Sequence, residues 1–525
     1  MHPSALFQHF SLVSLAAAAT ADQWRGRSIY QIITDRFALP AGADRNQCNP
    51  EAQTWCGGTW NTIRENLDYI QDAGFTAIWI SPVSQNYEGP RSAYGDAYHG
   101  YWIADASKLN DRFGTSDDLK ALSAELHRRD MYLMVDVVAN NVMATSATPD
   151  FSKYLFKDPS QYHQYCPIDW TNTTSITDCW LGDTKVSLPD INTENPTVIK
   201  TYGSWIKWLV EEFSIDGLRI DAARHINPGF WKSFCGESAQ VFCMGEVFGE
   251  IVDDAASYQD VMDSVLNYPL WNAIVDAFTI PGPQNMSAVS DMLSQIQGRF
   301  KDPTLLGNFL ENQDIPRWAS VSTDPQSLYN AMVLTFFSDG IPVVYYGQEQ
   351  SLTGSADPYN RAALWPSGYE KTAAYNFTAT LNQLRNYLVN TSDWASAPAQ
   401  VLSTDAHGIV IMKGDVISIV TNIGSPPQNV SVFAATPWAS SSSSVDIFTC
   451  RQHVIGSNGT VQVQYEKGGV PVVLVSNDLL NAAGMCGTSV PQSAQATANG
   501  GFSLHTYTSL RIFLTLSLGV LAYFS

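Results

Sequence analysis

Positive charge is what this sequence has least of. Its 29 Lys and Arg stand against 50 Asp and Glu, for a net charge of −21. Phosphate backbones are gripped by clustered Lys and Arg, so nucleic acid is excluded as a partner. An acidic surface of this kind mainly keeps a protein soluble. Also missing are a CxxC pair of the sort that holds zinc and a glycine loop of the sort that cradles phosphate. No internal repeats stand out.

What is present is a globular composition, 45% hydrophobic and 12% aromatic, over 525 residues. That length suits two or three domains with a sizeable core. The 15 Trp and 23 Tyr fit a core, or a groove in which flat rings stack on sugar. The eight cysteines form an even set that fits an oxidising compartment. Their spacing suggests local pairs: Cys48 with Cys56, Cys166 with Cys179, Cys235 with Cys243, and Cys450 with Cys486. Sequons for N-glycosylation begin at Asn172, Asn285, Asn376, Asn390, Asn429 and Asn458, again consistent with export.

Both ends carry processing signals. Residues 1–21 hold an apolar run followed by small residues, as in a secretory signal peptide. The n-region has only histidines for positive charge, and the competing reading is a disordered terminus. At the other end, Asn499, Gly500 and Gly501 are small, a polar spacer follows, and residues 510–525 are apolar. Small triplet, spacer and tail match a GPI-attachment signal, with Asn499 as the anchor site and residues 500–525 removed. The tail is short of the ~20 apolar residues of a spanning helix and contains Arg511. A single tail-anchor helix is the alternative.

Between the ends, short apolar runs alternate with amphipathic stretches. The runs include SIYQIITDRF, TAIWISPV, YLMVDVVAN, IDGLRIDA, VFCMGEVF, MDSVLNYP, TLLGNFLEN and GIPVVYYGQ. Eight strand–helix alternations predict a parallel (β/α)8 TIM barrel over residues 22–395. The sixth unit, MDSVLNYP, carries the weakest pattern. Ser116-Asp117-Asp118 reads as a helix start, with acid in the first turn. The third unit is followed by about fifty residues rich in Asp, Thr, Ser and Tyr. A loop of that length inside a compact fold is usually functional. It reads as a small inserted domain at about 142–195, at the barrel mouth. Residues 396–488 turn to alternating strands with Gly and Asn turns, predicting an antiparallel β-sandwich domain. Residues 489–499 form a polar linker to the anchor site.

In such a barrel the chemistry sits at the C-terminal ends of the strands. Asp221 ends the fourth run, Glu246 the fifth, and Asp314 follows the seventh. A lone Asp after a strand is usually a helix cap. Three acids at matching strand ends converge on one pocket and fit glycosidic-bond chemistry. A retaining glycosidase needs one carboxylate as nucleophile and one carboxylic acid as proton donor, ~5 Å apart. Arg219 lies two residues before Asp221, on the same strand face, where its charge keeps a carboxylate ionised.

The stretches DVVANN, GLRIDAARH, GEV and FLENQD resemble the four sequence regions of the α-amylase family of glycoside hydrolases. The similarity to secreted fungal α-amylases extends over about residues 22–488, through CGGTW, LDYIQDAGFTAIWISPV, AYGDAYHGYW, CWLGD and SLPD. By that resemblance Asp221 is the nucleophile, Glu246 the general acid/base and Asp314 the transition-state stabiliser. The resemblance also implies a Ca2+ site between barrel and inserted domain. Its ligands would be Asn140 and Asp190 by side chain, and Thr177 and His225 by backbone carbonyl, all oxygens as calcium prefers. Implied sugar contacts are Tyr94, His99, Trp102, Arg219, Arg224, Asp357 and Arg361. Arg224 stands where the fungal enzymes usually carry Lys, which keeps the charge but changes the geometry.

Two family histidines are absent, replaced by Asn141 and Gln313. In the family both bond hydroxyls of the sugar at the cleavage point. Asn and Gln still donate hydrogen bonds but carry no positive charge. This double replacement with a GPI signal resembles a subgroup of fungal GPI-anchored proteins, 4-α-glucanotransferases linked to cell-wall α-glucan. The expectation is therefore a membrane-anchored 4-α-glucanotransferase, monomeric, acting on maltooligosaccharides or amylose-type chains. The rivals are an anchored endo-acting α-amylase and a non-catalytic α-glucan-binding wall protein.

Overall fold

The computed structural model describes residues 19–487, apart from 46–47, 281–284, 426–429, 440–441 and 466–468. Most of the expected leader (residues 1–18), the linker 489–499, the anchor site Asn499, the tail 500–525 and the sequon at Asn429 lie outside the described residues.

Eight strands form one parallel sheet. They are β1 (Ile29–Ile32), β2 (Ala77–Ile80), β3 (Tyr132–Val137), β4 (Gly217–Ile220), β5 (Phe242–Gly245), β6 (Ser264–Val265), β7 (Gly307–Asn308) and β8 (Ile341–Tyr345). Neighbours follow chain order from β1 to β6, β8 pairs with both β1 and β7, and a parallel bridge between Leu266 and Gly307 closes the ring. The TIM barrel is as expected. Strands buried on both faces read as nearly unbroken apolar runs. One cluster, with Ile29, Trp79, Met134, Phe242, Met244 and Val343, fills the interior. A larger one lies between strands and helices. The weak sixth unit is short because Asn267 already caps the helix Tyr268–Phe278, leaving two residues for the strand. The helix expected near Ser116 runs from Ser116 to Arg128. Its cap is Thr115, one residue earlier, in a capping box with Asp118.

The long segment after β3 contains a short helix (Thr173–Asp178), a ribbon of Leu181–Gly182 with Ser187–Leu188, and the Cys166–Cys179 disulfide. It ends where Asn195 caps the helix Pro196–Phe213. All four local disulfides form as the spacing suggested. Beyond the barrel stand β9 (Gln400–Thr404), β10 (Gly408–Lys413), β11 (Val416–Thr421), β12 (Val430–Ala435), β13 (Ser443–Asp446), β14 (Gln452–Val454), β15 (Thr460–Tyr465) and β16 (Val472–Ser476). The sheet β9-β10-β11-β16-β13-β14 is antiparallel, and β12 pairs with β15. Val410, Ile417, Ile419, Val461, Val463 and Leu474 form the core between them. Asn330 ties this domain to the barrel, accepting from the Thr421 N–H at 2.8 Å and donating to the Gly469 carbonyl at 2.6 Å. Among the described residues no helix is long and apolar enough to cross a membrane. The sequon asparagines Asn172, Asn285, Asn376, Asn390 and Asn458 are exposed.

Candidate active site

Each acid sits where its strand ends and the chain turns over the barrel mouth. After Asp221 the backbone enters the left-handed region at Ala222 (φ 48°), which an alanine adopts only when its surroundings enforce it. That turn aims the Ala222 N–H at Glu246 Oε2, 3.0 Å away. Glu246 also accepts from the Tyr268 hydroxyl at 3.2 Å, and Asn312 Nδ2 donates to that hydroxyl at 3.2 Å. Asp314 is positioned from its own loop, its N–H donating to Asn312 Oδ1 at 2.8 Å.

Arg219 organises the centre. Its Nη1 lies 2.7 Å from Asp221 and 3.0 Å from both oxygens of Asp136, and its Nη2 lies 2.9 Å from Glu246. One buried guanidinium thus holds the Asp221 and Glu246 carboxyls on its two terminal nitrogens. Burial pushes the Asp221 carboxyl up to about 7, opposed by Arg219 and reinforced by Glu246 and Asp136. Burial likewise lifts Asp314 to about 7, opposed by Arg361, whose Nη2 is 3.2 Å from it. The second acid of the fourth region, Glu311, is fully occupied by Arg317 (2.8 Å) and the Trp318 N–H (2.6 Å) and plays a structural part.

The three carboxyls line one open cleft together with His99, Trp102, Asn141, Arg224, His225 and Arg361. His99 Nδ1 accepts from the Tyr101 N–H at 3.0 Å, so the ring proton sits on Nε2. Burial holds this imidazole well below its ordinary pKa, helped by Arg361 and Arg36, and it stays a neutral donor. Arg224 is held by the Phe248 carbonyl at 2.8 Å. Asp357 stands behind Arg361 at 3.3 Å. Tyr94 donates to Asp183 at 2.5 Å, packed beside Trp102 rather than on the cleft wall.

Gln313 also stands off the wall, 1% exposed. Its Oε1 accepts from Gln31 Nε2 at 2.6 Å, and its Nε2 donates to the Tyr101 hydroxyl at 3.0 Å. Of the two replaced histidine positions, only Asn141 faces the cleft. Sequence reading missed several participants. Gln31 is one, hidden within an apolar strand. Asp136 is another: fully buried, it accepts from Arg219, from Tyr101 (2.8 Å) and from Trp79 Nε1 (3.0 Å). A lone acid inside the run YLMVDVV was its signal, since a buried charge needs a cation. Trp170, Leu181, Leu188 and Phe248 add an apolar wall to the cleft. Nothing in the sequence marked them as one wall, because residues on separate segments converge only in three dimensions.

The residues expected to bind calcium are brought together in two pairs, Asn140 with Asp190 and His225 with the turn before Thr177. Asn141 bridges to Asp190, and the Ile191 N–H donates to the Asn140 carbonyl at 2.8 Å. Asn140 Oδ1 and Asp190 Oδ1 are both buried without a hydrogen-bond partner. Asp190 Oδ2 meets His163 Nδ1 at 2.6 Å. His225 lies 3.0 Å from the Ile176 carbonyl, which brings its turn against the helix that carries Thr177. Two orphaned buried oxygens with carbonyl-bearing turns beside them fit a hard, oxygen-preferring cation. Among the described residues, no three His, Cys, Asp or Glu side chains gather as a metal site, so carbonyl and amide oxygens would have to complete it.

Comparison with known proteins matches both domains of this fold. Residues 31–406 match the model for the alpha amylase catalytic domain, and residues 401–494 the model for alpha-amylase domain C. The chain is 41% identical to an alpha-amylase of Saccharomycopsis fibuligera, over 87% of this chain and 92% of that one. It is 47% identical to alpha-amylase 1 of Lipomyces kononenkoae, over 71% of this chain and 60% of that one. The solved alpha-amylase of Malbranchea cinnamomea superposes with a TM-score of 0.86 at 39% identity, over 89% of this chain and 100% of that one.

Proposed function

The chain belongs to the alpha-amylase family, as a retaining, α-glucan-active enzyme, and we propose that its reaction is 4-α-glucan transfer. Asp221 attacks the anomeric carbon while Glu246 protonates the departing glycosidic oxygen. Glu246 then takes the proton from an incoming sugar hydroxyl, which displaces Asp221. Asp314 bonds sugar hydroxyls as positive charge develops at the anomeric centre. The observation that carries transfer over hydrolysis is the apolar wall on the Glu246 side of the cleft. Phe248 packs on Tyr268 with ring centroids 4.7 Å apart, and Trp170 packs edge-on to His225 at 5.7 Å. Flat apolar rings favour a sugar over water as the second reactant. Asn141 and the withdrawn Gln313 act in the same sense, since neither brings positive charge to the donor sugar.

Incubation of the purified ectodomain with maltopentaose is expected to yield products both longer and shorter than the donor. Only shorter sugars would replace transfer by hydrolysis, the reading favoured by the relatives named alpha-amylase. An inert protein would leave the glucan-binding wall protein. The pair Asn141→His with Gln313→His is expected to raise the share of hydrolysis, and an unchanged share would remove these two positions from the account.

We further propose that Asn140, Asp190 and the carbonyls of Thr177 and His225 hold Ca2+, pinning the inserted segment to the barrel. A ligand bound only by the folded state at ~100 times its Kd adds ~2.7 kcal/mol. Dialysis against EDTA is therefore expected to lower Tm by several degrees, and added calcium to restore it. Asp190→Asn is expected to make Tm indifferent to both treatments. An EDTA-insensitive wild type would end this assignment. The C-terminal small triplet, spacer and tail support a GPI anchor on the outer face of the plasma membrane, where we propose a monomer serving wall α-glucan.

A further inference from the structure

The walls of the cleft have opposite roles. Glu246 protonates the leaving oxygen, so its neighbours in the loops after β4 and β5, Arg224 and Phe248 among them, flank the leaving group. The glycone lies toward Asp314 and Arg361, carried by the loops after β7 and β8 on the other side of the ring. On that side Arg361 links two carboxylates, those of Asp314 and Asp357. Arg361 Nη2 is 3.2 Å from Asp314, and Arg361 Nη1 is 3.3 Å from Asp357. Two residues after Asp357, in the turn Tyr359–Arg361, Tyr359 is a large ring left 48% exposed.

This ring is fixed in place. Its hydroxyl donates to Glu51 Oε1 at 3.0 Å, across to a different loop. Glu51 lies in the turn Pro50–Ala52, capped by Asn49 and enclosed by the Cys48–Cys56 disulfide. On the other side the backbone of Gly354 (φ 150°) packs so close that a Cβ there would lie 2.4 Å from the Tyr359 carbonyl. An aromatic ring tethered at its hydroxyl and at its backbone pays little entropy to stack. A partner with both apolar faces and hydroxyl edges suits it, and a glucose unit has both.

We propose that Tyr359 is an outer glycone subsite, stacking on a glucose unit of an α-1,4-glucan beyond the units held at Asp357 and Arg361. This rests on the retaining glucan-active reading of the cleft and specifies its substrate as a chain longer than a trisaccharide. Tyr359→Ala is expected to lower kcat/KM for maltoheptaose about three- to tenfold while maltotriose stays within about twofold. Tyr359→Phe, which keeps the ring and drops the tether to Glu51, is expected to fall between. The same length dependence is expected in Kd when both sugars are titrated calorimetrically into the Glu246→Gln protein with and without Tyr359→Ala. Equal losses for both sugars, or no loss for either, would overturn the subsite, as would a failure of that protein to bind maltoheptaose. Absence of wild-type turnover on any α-1,4-glucan, with length-dependent binding retained, would strike the reaction and leave the subsite standing.

Discussion

Replacing Glu246 by Gln is expected to leave the fold in place and to cut kcat on maltopentaose by ~10²–10⁴-fold, the usual worth of a general acid/base. The amide keeps the carboxylate's shape, its oxygen accepting from the Ala222 N–H and its NH2 donating to the Tyr268 hydroxyl oxygen, but it has no acid proton to give the leaving oxygen. Asp221→Asn is expected to cost more, ~10⁴-fold or beyond, because it removes the atom that forms the covalent bond. An α-glucosyl fluoride separates the two roles, since fluoride leaves without a proton. The Glu246→Gln protein should gain one glycosyl mass on Asp221, seen by mass spectrometry of its peptides. The Asp221→Asn protein should gain none. Full activity in either variant, or a label on another residue, would dismantle the assignment.

Replacing Arg219 by Met is the second large effect. The guanidinium is buried and serves three carboxyls, those of Asp136, Asp221 and Glu246. Breaking a buried pair from one side costs ~3–5 kcal/mol, because the stranded charge stays out of water. Here three acids are stranded together. Burial already raises Asp136 to about 6 and Asp221 to about 7 with the cation present, and without it both rise further. A carboxyl whose folded pKa lies above its unfolded value destabilises the fold most when ionised. The loss of stability is therefore expected to be largest above pH 7 and to shrink in acid as the carboxyls take up protons. Activity moves the other way: the nucleophile must be ionised, so the acid limb of kcat/KM should shift to higher pH. Urea titrations and pH–rate profiles of the two proteins test both. A uniform stability change with an unmoved acid limb would show that Arg219 does not control Asp221.

The barrel was legible because parallel strands buried on both faces write themselves as apolar runs, and YLMVDVV and GIPVVYYG are such runs. The sixth strand was faint for a physical reason. Two residues between a loop and the Asn267 cap leave no room for a pattern. The three carboxyls were legible as well, since Asp221 and Glu246 each end a run and Asp314 follows one, at the face where such barrels do their chemistry.

From the sequence alone came the fold class, the local cysteine pairs and the candidacy of Asp221, Glu246 and Asp314, all of which depend on patterns and motifs read along the chain. Tertiary structure alone decided what surrounds them. Asp136, Gln31 and Tyr101 are far apart in sequence, yet they join Arg219 and Gln313 in one hydrogen-bonded set. The same closure drew Gln313 off the cleft wall while leaving Asn141 on it, a distinction two similar substitutions could not express in the sequence. It also set Tyr359 against Glu51 across 308 positions of chain. The reason is common to all three. Periodicity and local spacing report which way a side chain faces on its own element, whereas a partner on another element is fixed only when the ring of strands closes.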